Sequence, residues 1–445
     1  MEPPHLDGEL LKDEASRQAA AVDFGNLVHN VPIGVLRPGS TADVGRILRW
    51  MGDEGKQVTP QGERHSVYGR SQVDGGVVVD MSGRKDVHSV ERDRIVVDAG
   101  AKWSDVLDAA LQEGLTPPVL TEYLELSVGG TIVVGGVGGT TWRYGTQSDT
   151  VLELEVVTGD GRVITCSPDR EPRLFDAMRA GLGQVGIISR ATLSLTPAQD
   201  SARRYQLIYG DLDTMLADQR VLLREGRWDY LQGAAVPGEA GGWTYLVDGS
   251  KLFSGADAPD DDALLAGLSD DRAQAQIGTF PYSDYAYRFA PLEKSLRSNG
   301  HWFHPHPWLA TFIGDSAAQS VLAAELDLLS MADLGTYGRV LIFPLRTRSI
   351  RSPLMRLPAE EVSFAFNLLR FPVTDSEEAA NAMVKANRAI YERVRAAGGT
   401  LNPVSAFPMS TEEWRTHFGS RWDGLCTAKE LYDPKHVLTP GYEVF

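Results

Sequence analysis

Two glycine-rich segments constrain the fold of this 445-residue chain more than any other feature. The first is the loop Gln61-Gly-Glu-Arg-His-Ser-Val-Tyr-Gly69, and the second is the run Ser127-Val-Gly-Gly-Thr-Ile-Val-Val-Gly-Gly-Val-Gly-Gly139. Glycine allows sharp turns and a close approach of the backbone to a ligand, and successive N–H groups in such turns suit an anion such as a diphosphate. His65 is then aimed at whatever lies beyond the phosphates. The alternative is a surface turn that carries an exposed histidine.

Composition limits the classes of protein that remain. The chain is 42% hydrophobic and 8% aromatic, which is typical of a globular protein. A formal net charge of -17 argues against nucleic-acid and anionic-membrane partners. Because no apolar run reaches the length of a membrane span and the first residues are acidic, we expect a cytoplasmic protein. The two cysteines, Cys166 and Cys426, are too few for a disulfide scaffold or a metal knuckle.

Secondary-structure patterns divide the chain into parts. From residue 30 to 197, short β-rich runs alternate with helical stretches, for example a helix at 103–114, which indicates an α+β cofactor domain. From 198 to 403, strand-like segments are interleaved with amphipathic helices, a pattern typical of a sheet covered by helices. We expect residues 1–29 to form an N-terminal helical extension.

The first loop resembles that of the flavin oxidases with the vanillyl-alcohol-oxidase type of FAD domain, and in particular of the cytokinin dehydrogenases. Their Gly-x-Gly-His-Ser-x-x-Gly-Gln loop carries a histidine bonded to the flavin 8α-methyl. This chain reads Gly62-Glu-Arg-His-Ser-Val-Tyr-Gly-Arg70, so the histidine corresponds to His65. Arg64 and Arg70 depart from the family pattern, although arginine beside a diphosphate is electrostatically favourable.

Further motifs resemble the same family along nearly the whole chain and in the family's order. They are Pro38-Gly-Ser-Thr-Ala-Asp-Val44, in which Ser40 or Thr41 caps a helix, Thr121-Glu-Tyr-Leu-Glu-Leu-Ser-Val-Gly-Gly-Thr131, Arg143-Tyr-Gly-Thr-Gln147, Val156-Val-Thr-Gly-Asp-Gly161, Leu174-Phe-Asp176, Gly181-Leu-Gly-Gln-Val-Gly-Ile-Ile188, His306-Pro-Trp-Leu309, Trp414-x-x-His-Phe-Gly419 and Tyr432-Asp-Pro-Lys-His-Val-Leu-Thr-Pro-Gly441.

The resemblance implies an α+β fold. A PCMH-type FAD-binding domain of two small α/β subdomains covers 30–197, an antiparallel sheet covered by helices forms the substrate domain at 198–403, and 404–445 returns to the FAD domain. It implies one covalent bond from His65 to FAD, because no cysteine lies near Leu126. It assigns cofactor contacts to Gly62, Arg64, His65, Ser66, Gly69, Arg70, Ser127, Gly129, Gly130, Thr131, Gly135, Gly138, Gly186, Ile187, Thr439 and Tyr442, and substrate contacts to His306 and Trp308.

Two other patterns compete with this interpretation. Gly181-Leu-Gly-Gln-Val-Gly186 fits a dinucleotide fingerprint, but a helix-like stretch precedes it and a strand-like one follows, which is the reverse of what that fold requires. His301, His304 and His306 fall within six residues, yet no cysteine or carboxylate at a suitable spacing completes a metal shell. We therefore expect no metal.

The resemblance also implies a catalytic carboxylate. The family's base is the aspartate of Thr-Asp-Tyr-Leu, and Glu122 stands at that position. A carboxylate packed against a flavin loses hydration and becomes a better base. Glu122 could instead cap the region of Ser127. Asp229-Tyr-Leu-Gln-Gly233 places Gln232 where the family has an acid, and Gln232 can hold a polar substrate but cannot accept a proton.

These departures, together with Tyr442 where the family has glutamine, lead to three hypotheses. The first is an FAD-dependent oxidase or dehydrogenase that removes hydride from a carbon next to nitrogen or oxygen of a small amine or alcohol, with oxygen or another acceptor reoxidising the flavin. The second is a cytokinin dehydrogenase proper. The third is a flavin-binding scaffold or cyclase without net redox chemistry. Arginine far outnumbers lysine, as in GC-rich bacteria, where such oxidases serve secondary metabolism. The oligomeric state is open.

Overall fold

The computed structural model describes residues 3–238, 241–256, 258–372 and 375–445. Within these ranges the strands form sheets of four, five, two and eight strands. The four- and five-stranded sheets, with their helices, correspond to the two small α/β subdomains that were predicted, and the eight-stranded sheet corresponds to the predicted substrate domain. The α+β fold class is confirmed.

The first sheet is built from the N-terminal part of the chain. Its elements are β1 (Glu9–Leu11), α1 (Glu14–Ala20), β2 (Gly34–Arg37), α2 (Thr41–Asp53), β3 (Val58–Gln61) and β4 (Val77–Asp80). The order is β1-β2-β4-β3, with β4 parallel to both β2 and β3. Ser40 caps α2 by accepting a hydrogen bond from the Asp43 N–H at 3.3 Å, as predicted. The segment before residue 30 thus supplies a strand as well as a helix.

The second sheet is antiparallel. It and its surroundings comprise β5 (Val87–Glu91), β6 (Arg94–Asp98), α3 (Trp103–Gln112), β7 (Leu115–Thr116), α4 (Val128–Ile132), α5 (Thr141–Tyr144), β8 (Val151–Thr158), β9 (Val163–Cys166), α6 (Pro172–Met178), β10 (Gly186–Ser194) and β11 (Thr196–Pro197). The order is β5-β6-β10-β8-β9, and β7 pairs with β11. The segment from Gly181 to Gly186 lies between helix α6 and strand β10, which confirms that it is not a dinucleotide fingerprint.

The eight-stranded sheet is antiparallel and covered by helices. Its part of the chain contains β12 (Ser201–Tyr209), α7 (Leu212–Glu225), β13 (Tyr230–Pro237), β14 (Trp243–Phe253), α8 (Asp261–Leu265), β15 (Gln276–Pro281), α9 (Tyr282–Ala286), α10 (Ala290–Ser298), β16 (Leu309–Gly314), α11 (Asp315–Leu328), α12 (Met331–Leu334), β17 (Arg339–Arg346), β18 (Val362–Leu369), α13 (Glu377–Ala396) and β19 (Thr400–Leu401). The strand order is β15-β12-β14-β13-β17-β18-β16-β19. Helices α7, α11 and α13 pack on the sheet and bury its core.

The last part of the chain returns to the first two sheets. It contains α14 (Thr411–Phe418) and α15 (Trp422–Tyr432), and α15 packs on α6. The Val58 N–H donates to the Val437 carbonyl at 2.8 Å, and the Thr439 N–H donates to the Val58 carbonyl at 3.0 Å. The buried Lys429 ammonium donates to the Gln184 carbonyl at 2.8 Å. Among the described helices, none is both long and apolar enough to cross a bilayer.

Candidate active site

One large cavity lies where the two small sheets, the eight-stranded sheet and the C-terminal segment meet. Its volume is about 400 Å³, within the range of cofactor and ligand pockets. Sixteen of the predicted site residues line it: Gly62, Arg64, His65, Ser66, Arg70, Glu122, Ser127, Gly129, Gly130, Thr131, Gly186, Ile187, Gln232, Trp308, Thr439 and Tyr442. The structure therefore brings the histidine loop and the glycine run to one site.

The two glycine-rich segments touch each other directly. A Cβ on Gly62 would lie 2.1 Å from the Ser127 hydroxyl oxygen, so only glycine fits at this crossing. Ser127 is the N-cap of the short helix α4, which presents Gly129 and Gly130 to the cavity. A Cβ on Gly129 would meet the Ala99 Cβ at 3.0 Å. Small residues on the cavity side of α4 leave room for a flat group to approach its backbone.

Arg64 fits at a position where the family pattern has glycine. Its φ of 55° is left-handed, and its guanidinium turns towards α1, where it donates to the Ala19 carbonyl at 2.5 Å. Gly69 also has a positive φ, 65°, and its N–H donates to the buried Asp23 carboxylate at 2.8 Å. The Ser66 hydroxyl donates to the same carboxylate at 2.8 Å. Asp23 thus fixes the loop that carries the histidine.

His65 lies in an aromatic cluster at one end of the cavity. Its ring stacks on Phe24 with centroids 4.0 Å apart and lies 4.8 Å from the Tyr123 ring. Burial, with smaller effects from His306 and Arg297, lowers the pKa of His65 to about 3, so the imidazole is neutral at physiological pH. Its ring nitrogens have no hydrogen-bond partner among the described residues. A neutral imidazole with a free lone pair has the form that a nucleophile requires.

His306 supports this cluster from behind. It is fully buried, stacks on the other face of Phe24 at 3.9 Å, and its Nδ1 lies 2.8 Å from the Phe24 carbonyl oxygen. It does not line the cavity, and its role as a substrate contact stays a prediction. Trp308 does line the cavity, and its indole N–H donates to the Arg370 carbonyl at 3.1 Å.

Three of the predicted cofactor glycines also lie outside the cavity wall. The contact that a Cβ would make explains each of them: on Gly138 it would lie 2.0 Å from the Leu120 carbonyl oxygen, and on Gly135 it would lie 3.0 Å from the Met355 sulfur. A Cβ on Gly69 would lie 2.8 Å from a Val28 side-chain carbon, and the positive φ at this position also favours glycine. These glycines allow close packing of the backbone behind the site. Gly136, which the sequence analysis did not select, lines the cavity with a φ of 73°.

Glu122 lies beside a buried arginine that the sequence did not reveal. The Arg288 Nε is 3.9 Å from Glu122 Oε1, and the Arg288 guanidinium lies over the rings of Tyr230 at 4.6 Å and Tyr285 at 4.4 Å, which are perpendicular to each other. Arg288 Nε and Nη2 are buried and have no hydrogen-bond partner among the described residues. Gln232 is 9% exposed and lines the same cavity. The Glu122 carboxylate therefore lies next to a fixed positive charge, and the neutral amide of Gln232 belongs to the same cavity wall.

Arg70 joins the loop to the C-terminal segment. Its guanidinium is buried and donates to the Phe407 carbonyl at 2.7 Å and the Gly441 carbonyl at 3.0 Å. It also lies over the Tyr442 ring at 5.0 Å. The Thr439 hydroxyl donates to the Gly183 carbonyl at 2.9 Å. These contacts explain why arginine and tyrosine stand where the family has glutamines: they pair with each other and with carbonyl groups.

The residues present fit a flavin. Gly129, Gly130 and Gly136 line the cavity and carry no side chain, which suits the approach of a flat ring system, and the turn at 62–69 offers backbone N–H groups for phosphates. Arg70 Nε is buried without a partner among the described residues and faces the same space. Within the described ranges, no group of three or more histidine, cysteine, aspartate or glutamate residues could hold a metal ion.

The fold and the matches to family models define the class of protein. A family model described as "FAD binding domain" matches residues 32–167, and a second one, described as "Cytokinin dehydrogenase 1, FAD and cytokinin binding", matches residues 245–445. The crystal structure of 6-hydroxy-D-nicotine oxidase from Arthrobacter nicotinovorans superposes with a TM-score of 0.74 at 20% identity, covering 99% of this chain and 98% of that one. The protein is an FAD-dependent oxidoreductase with a PCMH-type cofactor domain.

Relatives with similar sequences define the family. The oxidoreductase ORF5 of the fasciation locus of Rhodococcoides fascians is 40% identical over 440 residues, with 99% of each chain covered. Cytokinin dehydrogenase 10 of Oryza sativa is 33% identical, covering 97% of this chain and 88% of its own length, and cytokinin dehydrogenase 2 of Arabidopsis thaliana is 31% identical, covering 100% and 95%. The chain belongs to the cytokinin dehydrogenase family of flavoproteins.

Proposed function

We propose that this protein oxidises a small or medium-sized organic amine or alcohol at a carbon next to nitrogen or oxygen. The observation that supports this most is the position of Glu122: it lines the same cavity as the histidine loop and the glycine run. When bound there, FAD supplies the hydride acceptor. The chain's own residues bind the substrate, orient it, exclude water and accept its proton.

Glu122 is the base of this proposal. It takes the proton from the substrate N–H or O–H as the C–H hydride leaves, so that the substrate carbon becomes doubly bonded to nitrogen or oxygen. Arg288, with its Nε 3.9 Å from Glu122 Oε1, places a fixed positive charge beside this carboxylate. Gln232 offers an amide that donates and accepts hydrogen bonds but cannot exchange a proton. When FAD is bound, its reoxidation would require oxygen or another electron acceptor.

The test of Glu122 is anaerobic reduction of the bound flavin by the substrate. We expect Glu122→Gln to slow reduction by about two orders of magnitude, because general-base catalysis contributes roughly that much or more. Glu125→Gln is the matched control: Glu125 lies in the same segment, but its carboxylate pairs with Lys102 at 3.0 Å and does not line the cavity. Equal rates in wild type and Glu122→Gln would remove Glu122 from the mechanism. Purified protein without any flavin would end the proposal.

We further propose that His65 attaches the flavin covalently. Its neutral ring and unbonded nitrogens support this role. After acid precipitation, the pellet of the wild-type protein should stay yellow, and that of His65→Ala should be colourless. His304→Ala is the control, because His304 does not line the cavity. Colour in the supernatant of the wild-type protein would show that the flavin is not attached.

A cytokinin dehydrogenase is the second candidate, favoured by the model that matches residues 245–445 and by the names of the rice and Arabidopsis relatives. Gln232 argues against it, because it replaces an acid with a group that neither accepts a proton nor pairs with a cation. Rapid bleaching of the flavin by an isoprenoid adenine would establish the cytokinin activity. Bleaching by other amines or alcohols alone would establish the broader proposal, and the absence of any bleaching would favour a scaffold. Within the broader proposal, we place the enzyme in bacterial secondary metabolism.

A further inference from the structure

Strand β17 turns one charged side chain towards the cavity. Arg339, Leu341 and Phe343 alternate along the strand and line the cavity, while Val340 and Ile342 between them are fully buried in the core on the other face. This alternation fixes the direction of the Arg339 side chain. The arginine therefore belongs to the wall of the substrate site and not to the outer surface of the sheet.

The Arg339 side chain has no hydrogen bond or ion pair with any described residue. The two other arginines of the cavity wall both have acceptors: Arg64 donates to the Ala19 carbonyl, and Arg70 donates through its terminal nitrogens to the Phe407 and Gly441 carbonyls, although its buried Nε has no partner among the described residues. A guanidinium that is partly removed from water and lacks an acceptor is unfavourable, and an oxyanion satisfies it best because its two oxygens match the forked donors.

Two uncharged polar side chains lie on the same wall and are also unsatisfied. Asn367 is the cross-strand partner of Leu341, and its side chain makes no hydrogen bond among the described residues. Asn402 is 6% exposed, and its Oδ1 is buried without a partner among them. Both line the cavity. Asn367 is two residues from Leu369, the cross-strand partner of Arg339, so the unpaired cation and this unpartnered amide point to a ligand group that both can contact.

The sheet register places this cation far from the proposed base. Ala234 pairs with Leu341, and a Cβ on Gly233 would lie 2.6 Å from the Ile342 carbonyl oxygen, so the pairing continues and sets Gln232 beside Phe343. Arg339 is four residues further along β17, about 13 Å away at ~3.3 Å per residue. Tyr230, which contacts Arg288 beside Glu122, lies beyond Gln232 on β13. Arg339 is thus separated along the sheet from the residues that lie next to Glu122.

Apolar side chains also line the cavity. Phe289, Leu292 and Leu296 from the region of α10 are among them, as is Leu369 of β18, the cross-strand partner of Arg339. A neutral apolar body fits such walls, because each buried CH₂ contributes about 0.8 kcal/mol. The combination suits an elongated molecule with an apolar middle and charge at one end only.

We propose that Arg339, assisted by Asn367, binds an oxyanion, either carboxylate or phosphate, at the end of the substrate remote from the carbon that is oxidised. This inference rests on the proposed function, since it names the class of substrate for the same cavity. It predicts that the substrate is an acidic amphiphile of which the acidic group stays unchanged in the reaction.

Isothermal titration calorimetry of the FAD-loaded protein tests the inference without measuring turnover. The ligands are 4-phenylbutanoate, 3-phenylpropyl phosphate and the neutral 4-phenylbutanamide. We expect wild-type protein to bind at least one oxyanion about tenfold or more tightly than the amide. Arg339→Met should weaken the binding of that oxyanion by about 10- to 100-fold and the binding of the amide by less than threefold. The oxyanion affinity of Arg339→Lys should lie between those of wild type and Arg339→Met, because lysine keeps the charge but loses the forked donors. The preference between carboxylate and phosphate identifies the anion.

Arg348→Met is the matched control, because Arg348 follows the same strand but does not line the cavity. The flavin content and melting temperature of each variant show whether it is folded. Unchanged oxyanion affinity in a folded Arg339→Met, equal losses for acid and amide, or the absence of any oxyanion preference in wild type would each overturn the inference. None of these results affects the proposed function, which fails only on flavin content and on the Glu122→Gln reduction rate.

Discussion

The buried carboxylate under the histidine loop gives the protein a pH-dependent stability of known sign. Asp23 is 4% exposed and accepts hydrogen bonds from the Ser66 hydroxyl and the Gly69 N–H at 2.8 Å and from the Asn26 N–H at 3.1 Å. Burial raises the pKa of Asp23 to about 6, and these hydrogen bonds only partly offset it. Asp23→Asn keeps the shape of the side chain and removes its titration.

The magnitude follows from the two pKa values. A rise from 3.8 to about 6, at about 1.36 kcal/mol for each pH unit, is roughly 3 kcal/mol. Below pH 3.8 the carboxyl group is neutral in both states. As the pH rises from 3.8 to 6, the unfolded chain ionises while the folded protein keeps its proton, so the free energy of unfolding falls. Above pH 6 both states are ionised and the difference stays constant. The proton on Asp23 therefore stabilises the fold in acid and is lost towards neutrality.

Urea unfolding at a series of pH values measures this effect. The free energy of unfolding of wild type minus that of Asp23→Asn should fall by up to about 3 kcal/mol between pH 4 and pH 6.5 and then level off. Asp13→Asn is the control in the same segment: a hydrogen bond from the Ser16 N–H lowers the pKa of the exposed Asp13, so the corresponding difference is flat in this range. A flat or rising curve for Asp23 would refute the argument that burial outweighs its hydrogen bonds.

Two further substitutions test how the site is assembled. Lys429→Met leaves the fully buried Asp433 carboxylate, 2.8 Å away, without its cation, so the free energy of unfolding in urea titrations should fall by about 3–5 kcal/mol. Lys435→Met, the control, breaks an exposed ion pair and should lower the free energy of unfolding by less than about 1 kcal/mol. Equal effects would contradict this distinction. Gly138→Ala places a Cβ 2.0 Å from a main-chain oxygen, so it should lower the free energy of unfolding by about 1–3 kcal/mol and reduce the amount of bound flavin, as measured by thermal unfolding and absorbance. In the control Gly83→Ala the new Cβ meets nothing within 4 Å, and both quantities should stay unchanged. An unchanged Gly138→Ala would show that the backbone there can move.

Motif spacing and periodicity predicted the architecture well. Alternating strands and a glycine-terminated helix indicated the cofactor domain, and the crossing of Gly62 over Ser127 explains why both glycine-rich segments were informative. Such motifs are local, and each needs a particular backbone geometry that few residues other than glycine provide. Which glycine faces the ligand could not be read in the same way. Gly136 and Gly138 belong to one run, yet only the first lines the cavity.

The partners of the reactive groups could not be predicted from the sequence. Phe24, which separates His65 from His306, comes from a segment without a recognisable motif. Arg288 reaches Glu122 from a different domain, and its role depends on packing between tyrosine rings. Periodicity states which face of a strand is buried but not which distant side chain is opposite it. Contacts of this kind are determined by how the sheets dock.

The docking of early and late segments around one cavity sets an order of events during synthesis. Phe24 and His65 leave the ribosome long before Arg70 can meet Phe407 or Tyr442. Until that part of the chain is made, the pocket lacks one of its walls, so a nascent polypeptide cannot retain the flavin firmly. We therefore expect the cofactor to be loaded after synthesis of the chain, once the first and last segments are in contact.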